Sequence, residues 1–304
     1  MGINTKKIPR KILIFGISGM LGSTFFRYLS ENENYYLYGT VRDNQKKNLV
    51  RRICPNGEIL VFNKFLDESL LEKFFNEIKP DFVINCIGII KQSNNSINTS
   101  SYIAINSLFP HLLSNINEKY NSKLIQISTD CVFSGKKGMY SEQDIPDASD
   151  IYGRSKLLGE LVDNKKNLTI RTSIIGHEIQ SFNSLLNWFL SQTNNITGFS
   201  RAIFSGFTTL ELAKIFENYI LPNDRLTGLY HVSSNPITKY NLLLKIKDIY
   251  EKEISITKDE DFEIDRSLNS KIFREMTGFS PKSWDSMIFE MKEYNNYVRL
   301  NKDV

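Results

Sequence analysis

The sequence predicts a doubly wound α/β fold with a parallel central sheet, joined to a smaller, mainly helical region. Six short runs rich in β-branched and aromatic residues alternate with longer amphipathic segments over the first 173 residues. Most of these runs are apolar along their whole length, which is typical of parallel strands covered by helices on both faces. After about residue 173 the alternation gives way to helical patterns around one further apolar run at 228–234.

Each element follows from its local pattern. The predicted strands of the first part are 11–16, 35–41, 58–62, 81–88, 123–128 and 168–173. Between them, segment 67–79 has apolar residues every three or four positions, which predicts an amphipathic helix. The predicted helices of the second part are 180–192, 208–220, 237–250 and 282–298. We therefore predict a first domain over residues 1–172 and a second region over 173–304, whose strand near 228–234 is free to return to the main sheet.

Composition and charge narrow the class of protein. The 304 residues are 41% hydrophobic and 24% charged, which is ordinary for a soluble globular protein. The net charge of +4 comes from short, scattered basic clusters, so no nucleic-acid partner is expected. Cys54, Cys86 and Cys131 have neither metal-ligand spacing nor an even count, which indicates a reducing compartment and no metal site. No apolar run approaches the roughly 20 residues that span a bilayer, so we expect a cytoplasmic protein without a membrane partner.

Three glycines at intervals of three residues follow the first predicted strand and open the next helix, in "GISGMLG". Glycine costs backbone entropy, so this spacing indicates a tight turn that a ligand's pyrophosphate approaches closely. The free N–H groups of the helix N-terminus would bind the phosphates. A plain strand-to-helix turn is the structural alternative. The predicted cofactor-binding residues of this turn are Gly16, Ser18, Gly19, Met20, Leu21 and Gly22.

The end of the second strand indicates which dinucleotide is bound. An acidic side chain there accepts a hydrogen bond from a free 2′-hydroxyl, whereas a basic one pairs with a 2′-phosphate. The strand ends in "GTVRD", which places Thr40 and Arg42 near this point. We predict that Arg42 favours NADP(H) over NAD(H). Asp43 would be the acceptor for NAD(H) if the strand ended one residue later, and Arg42 would then be a solvated surface charge.

A second group of residues carries the chemistry. Tyr152 and Lys156, in "IYGRSKLLGE" (151–160), are four residues apart and would share one face of a helix. An ammonium beside a phenol favours the phenolate, which would bring the tyrosine pKa down from about 10 towards neutrality. Thr129, in "STDCVFSG" (128–135), follows the fifth strand and can hold a substrate oxygen. Tyr-x-x-x-Lys by itself is also a chance pattern of helices, but beside a dinucleotide turn it predicts the catalytic residues Thr129, Tyr152 and Lys156.

These motifs together resemble a known family. The glycine spacing, "STDCVF", "YGRSKLLGE" and "LTIRTSIIG" are similar to the extended short-chain dehydrogenase/reductases, most closely the dTDP-4-dehydrorhamnose reductases and related nucleotide-sugar 4-ketoreductases. The resemblance runs over most of the chain and includes 104–114, 140–149, 228–234 and 266–284. It implies an NADP(H)-binding Rossmann domain over 1–172 and a substrate-binding region over 173–304.

The resemblance also implies roles for individual residues. Tyr152 would be the general acid, Lys156 would bind the nicotinamide ribose and tune the tyrosine, and Thr129 would polarise the sugar ketone. Asn106 matches a helix asparagine with a supporting or relay role. The segment after the fourth strand would lie along the cofactor, through Asn85, Cys86, Ile87 and Gly88. The family's acidic adenine contact is replaced around Asn63 to Phe65, which leaves Phe65 as a packing surface for adenine.

The sequence motifs give weaker evidence for the substrate-binding residues than for the cofactor-binding residues. Segment 198–214 aligns with the stretch that lines the sugar-nucleotide pocket of the family, and includes Arg201, Ser205 and Thr208. Arg266 is a further candidate for binding the diphosphate. Each of these residues could instead cap a helix or carry a surface charge. The predicted substrate-binding residues are Asp130, Cys131, Phe133, Arg201, Ser205 and Arg266.

The resemblance predicts NADPH-dependent reduction of the 4-keto group of a nucleotide-activated 6-deoxysugar for surface polysaccharide synthesis. It leaves open which nucleotide and which sugar the substrate contains, and whether the protein forms a homodimer.

Two alternatives to this function remain. Cys131, with His177 one residue out of register, matches the catalytic pair of epimerase-reductases that resemble GDP-fucose synthase, although a buried cysteine and a helix-cap histidine would look the same. A non-catalytic cofactor-binding subunit, like that of methionine adenosyltransferase, would need the glycine turn but not Thr129, Tyr152 and Lys156.

Overall fold

The computed structural model describes residues 8–90, 98–163, 166–180 and 182–300, and these form twelve strands and eleven α-helices. The strands are β1 (Arg10–Phe15), β2 (Tyr35–Val41), β3 (Glu58–Val61), β4 (Phe82–Asn85), β5 (Lys123–Thr129), β6 (Leu168–Thr172), β7 (Ile174–Ile175), β8 (Ile196–Phe204), β9 (Phe207–Thr208), β10 (Gly228–His231), β11 (Ile237–Thr238) and β12 (Ile256–Asp265). The helices are α1 (Met20–Leu29), α2 (Asn44–Ile53), α3 (Glu68–Ile78), α4 (Thr99–Tyr102), α5 (Phe109–Tyr120), α6 (Ile151–Leu158), α7 (Leu185–Ser191), α8 (Thr209–Ile215), α9 (Lys239–Ile249), α10 (Lys271–Thr277) and α11 (Trp284–Leu300).

The central sheet has seven strands in the order β10-β6-β5-β4-β1-β2-β3, and each neighbouring pair is parallel. The prediction of a doubly wound α/β fold is therefore confirmed. The strand order reverses between β1 and β4, and ligands of open α/β sheets bind in the crevice at the carboxyl ends of the strands at such a point. The glycine turn and the segment after β4 both start from this crevice.

Strand β1 shows why the sheet strands are apolar throughout. Ile12 and Ile14 pack into the larger core cluster, whereas Leu13 and Phe15 pack into a second cluster with Phe109. Successive side chains of a strand point to opposite faces, so both faces of β1 are covered by helices. A strand buried on both faces has no position left for a polar residue.

The region after residue 173 contains strands that the sequence pattern did not predict. Strands β8 and β12 pair in parallel, and with β11 they form a separate three-stranded sheet. Most side chains of β12 are exposed or half-buried, so its sequence "ITKDEDFEID" lacks the apolar signal of a core strand. Strand β10 lies at one edge of the main sheet, beside β6. Within the described ranges, no helix has the length and apolar character needed to cross a membrane.

Two long helical segments contain a π-helical stretch, at Ile103–Leu108 and at Phe216–Ile220. The first of these lies between α4 and α5 and carries Asn106. Such bulges insert an extra residue into a helix and frequently occur at functional sites. This one turns the Asn106 side chain towards the backbone that follows β4.

Candidate active site

The glycine turn after β1 forms a cradle that side chains would fill. Gly16 has a φ of +87°, and a Cβ there would lie 2.9 Å from Cγ1 of Ile87. A Cβ on Gly22 would lie 2.3 Å from the carbonyl oxygen of Gly16. Gly19 is the N-cap of α1 and provides no side-chain cap, and the first turn has no acidic residue. Helix α1 therefore presents free N–H groups and a positive dipole end, which fits the pyrophosphate of a dinucleotide.

The end of β2 places a basic side chain in solvent. Arg42 is 68% exposed, and its Nε lies 3.4 Å from the Asp43 carboxylate. Asp43 is the N-cap of α2 and accepts a hydrogen bond of 2.7 Å from the backbone N–H of Lys46. The Asp43 carboxylate is thus already used by the helix that begins beside it, whereas the outer side of the Arg42 guanidinium remains in solvent.

The segment after β4 meets the π-helical stretch. The side chain of Asn106 accepts a hydrogen bond of 2.8 Å from the N–H of Ile89 and donates one of 3.0 Å to its carbonyl oxygen. Gly88 lies between Asn106 and Lys156, because a Cβ there would be 3.4 Å from Oδ1 of Asn106 and 3.8 Å from Nζ of Lys156. The predicted residues Gly88, Asn106 and Lys156 therefore lie together beside the glycine turn.

Phe65 and Cys86 lie at the edges of this region. Phe65 is half-buried, and its ring packs edge-on against Phe62 and Phe109 at centroid distances of 5.8 and 6.0 Å. The N–H of Cys86 donates to the carbonyl oxygen of Phe15, which continues the β4–β1 ladder. Burial raises the pKa of the Cys86 thiol to about 12. Cys86 is therefore a neutral, mainly apolar surface at neutral pH.

Helix α6 carries Tyr152 and Lys156 and fits tightly between two neighbours. A Cβ on Gly153 would lie 2.2 Å from the carbonyl oxygen of Cys131, and one on Gly159 would lie 1.9 Å from that of Asn106. The helix begins at the N-cap Asp150, which accepts from the N–H of Gly153. Glycine at both ends therefore lets α6 approach the backbone of the turn after β5 and of the π-helical stretch.

Thr129 and Tyr152 meet at the carboxyl end of β5. Burial is the largest influence on the Tyr152 phenol and raises its pKa, and a hydrogen bond with Thr129 opposes that rise. Nζ of Lys156 donates a 2.6 Å hydrogen bond to the carbonyl oxygen of Ile127, and burial lowers the lysine pKa to about 8. The expectation that Lys156 brings the Tyr152 pKa towards neutrality is not met in this structure, because burial dominates. The phenol is protonated at neutral pH, as a proton donor must be.

The turn after β5 joins the catalytic group to a residue from the far end of the chain. Nη1 of Arg266, directly after β12, lies 3.7 Å from the Cys131 sulfur, and its Nε donates to the carbonyl oxygen of Phe133. Burial and, to a smaller extent, the neighbouring Asp130 carboxyl together raise the pKa of the Cys131 thiol to about 12. Asp130 is itself buried, which raises its pKa, and Arg266 counteracts that rise. Arg266, Asp130 and Cys131 thus form one cluster beside Thr129.

The other predicted substrate residues lie in two different environments. Phe133 is fully buried and stacks on Tyr140 at 4.1 Å, and Ser205 is buried with its hydroxyl accepting from the N–H of Leu268. Arg201 is half-exposed, pairs with Glu263 and lines an open cleft of about 650 Å³. The cleft-lining residues are Ser134, Gly135, Lys136, Lys137, Ser200, Arg201, Ile203, Glu263, Ile264 and Asp265. The structure therefore gives Phe133 and Ser205 packing contacts and leaves Arg201 beside a cleft lined by both basic and acidic side chains.

His177 lies in another part of the molecule from the cysteine cluster. Its Nε2 is 2.8 Å from the hydroxyl of Tyr250. It also lines a small cavity beside α1, with Thr24, Arg27 and Tyr294. Cys131, by contrast, faces Arg266. Thr208, a further residue considered from the sequence, is buried and caps α8.

Sequence reasoning missed a buried polar network behind the catalytic group. Arg171 of β6 donates to both oxygens of Glu160, at 2.8 and 2.7 Å, and its Nη1 lies 3.3 Å from Nε2 of His231. Ser128 donates to Glu160 at 2.6 Å, and Nδ1 of His231 lies 2.9 Å from the carbonyl oxygen of Tyr140. A guanidinium cannot accept a hydrogen bond, so His231 is the neutral tautomer that carries its proton on Nδ1. A single charged residue, Arg171, within the otherwise uncharged segment "LTIRTS" was the available signal.

Comparisons with known proteins show the family of the chain. The sequence profile of the RmlD substrate binding domain matches residues 10–293 of the chain. The chain belongs to this family. The dTDP-4-dehydrorhamnose reductase of Aggregatibacter actinomycetemcomitans is 26% identical over 250 residues, covering 78% of each protein. The resemblance drawn from the sequence motifs is thereby confirmed.

Two further proteins are similar over nearly the whole chain. Methionine adenosyltransferase 2 subunit beta of Xenopus laevis is 22% identical over 301 residues, which cover 92% of this chain and 80% of that protein. The solved structure of a dTDP-4-dehydrorhamnose reductase from Bacillus anthracis in complex with NADP has a TM-score of 0.78 at 19% identity, covering 95% of this chain and 100% of that one. This chain therefore has the same fold as that reductase.

We predict that His231 makes the protein less stable below neutral pH. Burial and the Arg171 charge lower the pKa of His231 from 6.5 to about 4, so the unfolded chain takes up the proton first as the pH falls. Between pH 7 and pH 5 the free energy of unfolding should fall by about 2 kcal/mol more in the parent than in His231→Gln. Urea unfolding at both pH values measures this difference. His111→Gln, at an exposed position, is the control, and equal losses in the parent and in His231→Gln would contradict the prediction.

Proposed function

We propose that the protein is an NADPH-dependent reductase of the 4-keto group of a nucleotide-activated 6-deoxysugar, of the dTDP-4-dehydrorhamnose type or a UDP-linked N-acetyl sugar. Such a reaction supplies precursors for a surface polysaccharide, and a cytoplasmic homodimer is proposed with it. The observation that carries the proposal is the meeting of Thr129, Tyr152 and Lys156 beside the glycine turn, in a member of the RmlD substrate binding domain family.

Thr129, Tyr152 and Lys156 each have a separate role in a ketone reduction. Bound NADPH supplies a hydride. Tyr152, whose phenol burial keeps protonated, donates a proton to the ketone oxygen, and the Thr129 hydroxyl holds that oxygen in place. Lys156, with a pKa of about 8, is largely an ammonium at neutral pH and can bind the hydroxyls of the cofactor ribose. Backbone approach at Gly16 and Gly22 fixes the pyrophosphate.

The end of β2 supports NADP(H) rather than NAD(H). Arg42 is exposed and can form charge-assisted hydrogen bonds with a 2′-phosphate. Asp43, the alternative acceptor for a free 2′-hydroxyl, already caps α2. The similar reductase from Bacillus anthracis was solved with NADP. We therefore assign the cofactor as NADP(H).

The sugar nucleotide would extend from the catalytic group into the cleft that Arg201 lines. Arg266 lies between Cys131 and the loop that begins at Ser134, where it can meet a diphosphate. Lys136, Lys137 and Arg201 line the cleft beyond it. The lining also carries Glu263 and Asp265, with Arg201 paired to Glu263 and Lys137 paired to Asp144, so a diphosphate would compete with these carboxylates for the cations.

The direct test is turnover. Purified protein would be incubated with NADPH and dTDP-4-dehydrorhamnose, generated enzymatically, and NADPH consumption followed by absorbance. Thermal-shift measurements with NADPH and dTDP-, UDP-, GDP- and CDP-sugars would identify the nucleotide. We expect a saturable reduction with one of these classes, and no turnover with any of their 4-keto forms would refute the proposal.

Two other functions receive less support. An epimerase-reductase needs a thiol that ionises readily, but the Cys131 thiol has a pKa of about 12, and His177 lies against Tyr250. A regulatory subunit is favoured by the similarity to methionine adenosyltransferase 2 subunit beta. The complete set of Thr129, Tyr152 and Lys156 favours catalysis, because a cofactor-binding subunit does not need a proton donor.

We predict that NADPH protects the protein against thermal unfolding more than NADH does. The 2′-phosphate can pair with Arg42, and a ligand stabilises a protein in proportion to the logarithm of its concentration relative to its dissociation constant. Arg42→Ala should reduce the ratio of the NADH to the NADPH dissociation constant several-fold. Arg225→Ala, at an exposed position in the loop before β10, is the control. Equal affinities for both cofactors in the parent would remove the argument.

We predict that Tyr152→Phe reduces kcat at least a hundredfold while the NADPH dissociation constant changes less than threefold. The phenol oxygen acts on the sugar ketone, and general acids of this kind typically contribute a factor of about 10² to 10⁴. Lys156→Ala should weaken both turnover and cofactor binding. Steady-state rates and fluorescence titration with NADPH check these effects, and a retained reductase rate in Tyr152→Phe would mean that another group donates the proton.

We predict that Cys131→Ser changes the reduction rate less than tenfold. No proton beside the ketone moves in a simple reduction, and serine has nearly the volume of cysteine. Incubation with the 4-keto sugar in deuterium oxide without NADPH should give no enzyme-dependent label at C3 or C5, as measured by mass spectrometry. Incorporation that the parent catalyses and Cys131→Ser does not would establish epimerisation instead.

A further inference from the structure

A buried ion pair joins the end of the catalytic helix to the central sheet. Glu160 lies two residues beyond α6, and Arg171 lies in β6. Their side chains are 3% and 4% exposed, and the guanidinium meets the carboxylate through two hydrogen bonds. Burying two charges is unfavourable unless the geometry satisfies both groups, and well-packed apolar residues often serve stability as well or better. Stability alone therefore does not explain the pair.

The partners of this pair lie directly behind the reacting groups. Ser128, which donates to the Glu160 carboxylate, immediately precedes Thr129 in β5. The Arg171 guanidinium lies 5.1 Å from the centre of the Phe133 ring, in the turn that contains Cys131. The pair thus connects the end of α6 with the end of β5 and the turn that follows it. A shift of α6 relative to Thr129 would break these contacts.

The carboxylate also acts on the charge of the catalytic lysine. Lys156 lies four residues before Glu160, and burial lowers its pKa whereas Glu160 raises it. The segment after β4 brings Cys86 to the lysine, and its effect is smaller than that of Glu160. Tyr152, one turn earlier on the same helix, has a raised pKa and is neutral near pH 7. Glu160 is thus the main group that opposes loss of the Lys156 proton.

We propose that Glu160 and Arg171 are positioning residues of the active site: the pair holds α6 so that Tyr152 faces Thr129 and Lys156 stays hydrogen-bonded to the carbonyl oxygen of Ile127, one residue before Ser128. The effect on turnover rests on the proposed reductase function. The effect on Lys156 does not, because cofactor binding can be measured without any sugar. Neither residue touches the substrate in this scheme.

The first experiment measures the NADPH dissociation constant from pH 6 to pH 9.5 by fluorescence. In the parent, binding should weaken as Lys156 loses its proton near pH 8. Glu160→Gln should move that midpoint to lower pH, so that binding at pH 8 is several-fold weaker than in the parent. Glu160→Asp, which keeps the charge but shortens the side chain, should restore the midpoint. Asp285→Asn, which breaks an exposed ion pair with Lys245, is the control and should leave the midpoint unchanged.

The second experiment separates positioning from stability. Removing one partner of a buried pair leaves an uncompensated charge and can prevent folding, whereas an apolar replacement of both often folds well. The double variant Glu160→Leu with Arg171→Met should therefore fold, with a melting temperature below that of the parent, because Ser128 and His231 lose a hydrogen bond, but above that of either single variant. Its kcat should fall at least tenfold, with a lowered midpoint of the NADPH binding profile and with little change in KM for the sugar.

The outcomes distinguish the two proposals. A folded double variant with the parent's kcat and the parent's pH midpoint would overturn the positioning role. A parent protein that shows the NADPH midpoint but reduces no nucleotide sugar would overturn the reductase function, while the shift in Glu160→Gln would still decide the role of Glu160.

Discussion

The close approach of helix α6 to two stretches of backbone is the constraint on which the site depends. Gly153 lies against the carbonyl oxygen of Cys131 and Gly159 against that of Asn106, with no room for a Cβ at either position. The helix is therefore placed by contacts at both ends, not by the packing of one apolar stripe. Tyr152 is adjacent to the first contact and Lys156 lies between the two, so their positions relative to β5 are fixed before any ligand arrives. Preorganisation of this kind lowers the cost of binding and reaction.

Burial then sets the protonation state of each group. The Tyr152 phenol and the thiols of Cys86 and Cys131 have raised pKa values, so all three are neutral at physiological pH. Lys156 is the group whose lowered pKa, about 8, lies near that range. A reductase needs a protonated donor and a cation near the cofactor, and it does not need an ionised thiol. The same desolvation that suits reduction works against proton abstraction by Cys131.

Strand β12 and Arg266, from the last quarter of the chain, contact the turn after β5 in the first half. Strand β12 ends where the loop after Gly135 passes, and the N–H of Asp265 donates to the carbonyl oxygen of Gly135. This contact brings Arg266 to Cys131 and Phe133. The cleft between these segments is lined by residues 134–137 from the first half of the chain and by residues of β8 and β12 from the second half. An active site at such a junction depends on the relative position of two sheets, which no single segment encodes.

The sequence by itself determined the elements whose signals are local. Strand β1 is buried on both faces and shows an unbroken apolar run, and the glycine turn needs a positive φ at Gly16, so both could be read without the structure. The four-residue spacing of Tyr152 and Lys156 likewise fixes a shared helix face. Strand β12 escaped prediction, because its exposed residues carry no apolar period.

Tertiary structure alone decided the environment of each side chain. The spacing of Tyr152 and Lys156 led to the expectation of a lowered tyrosine pKa, but burial raised it, and burial is a sum over distant segments. Phe133 and Arg201 were both predicted from the sequence to bind the substrate, but the fold buries the first side chain and exposes the second. The pairing of Glu160 with Arg171 joins two elements whose registers are set only when α6 packs on the sheet. Local patterns specify which residues are available for chemistry, whereas desolvation and long-range contacts determine what those residues do.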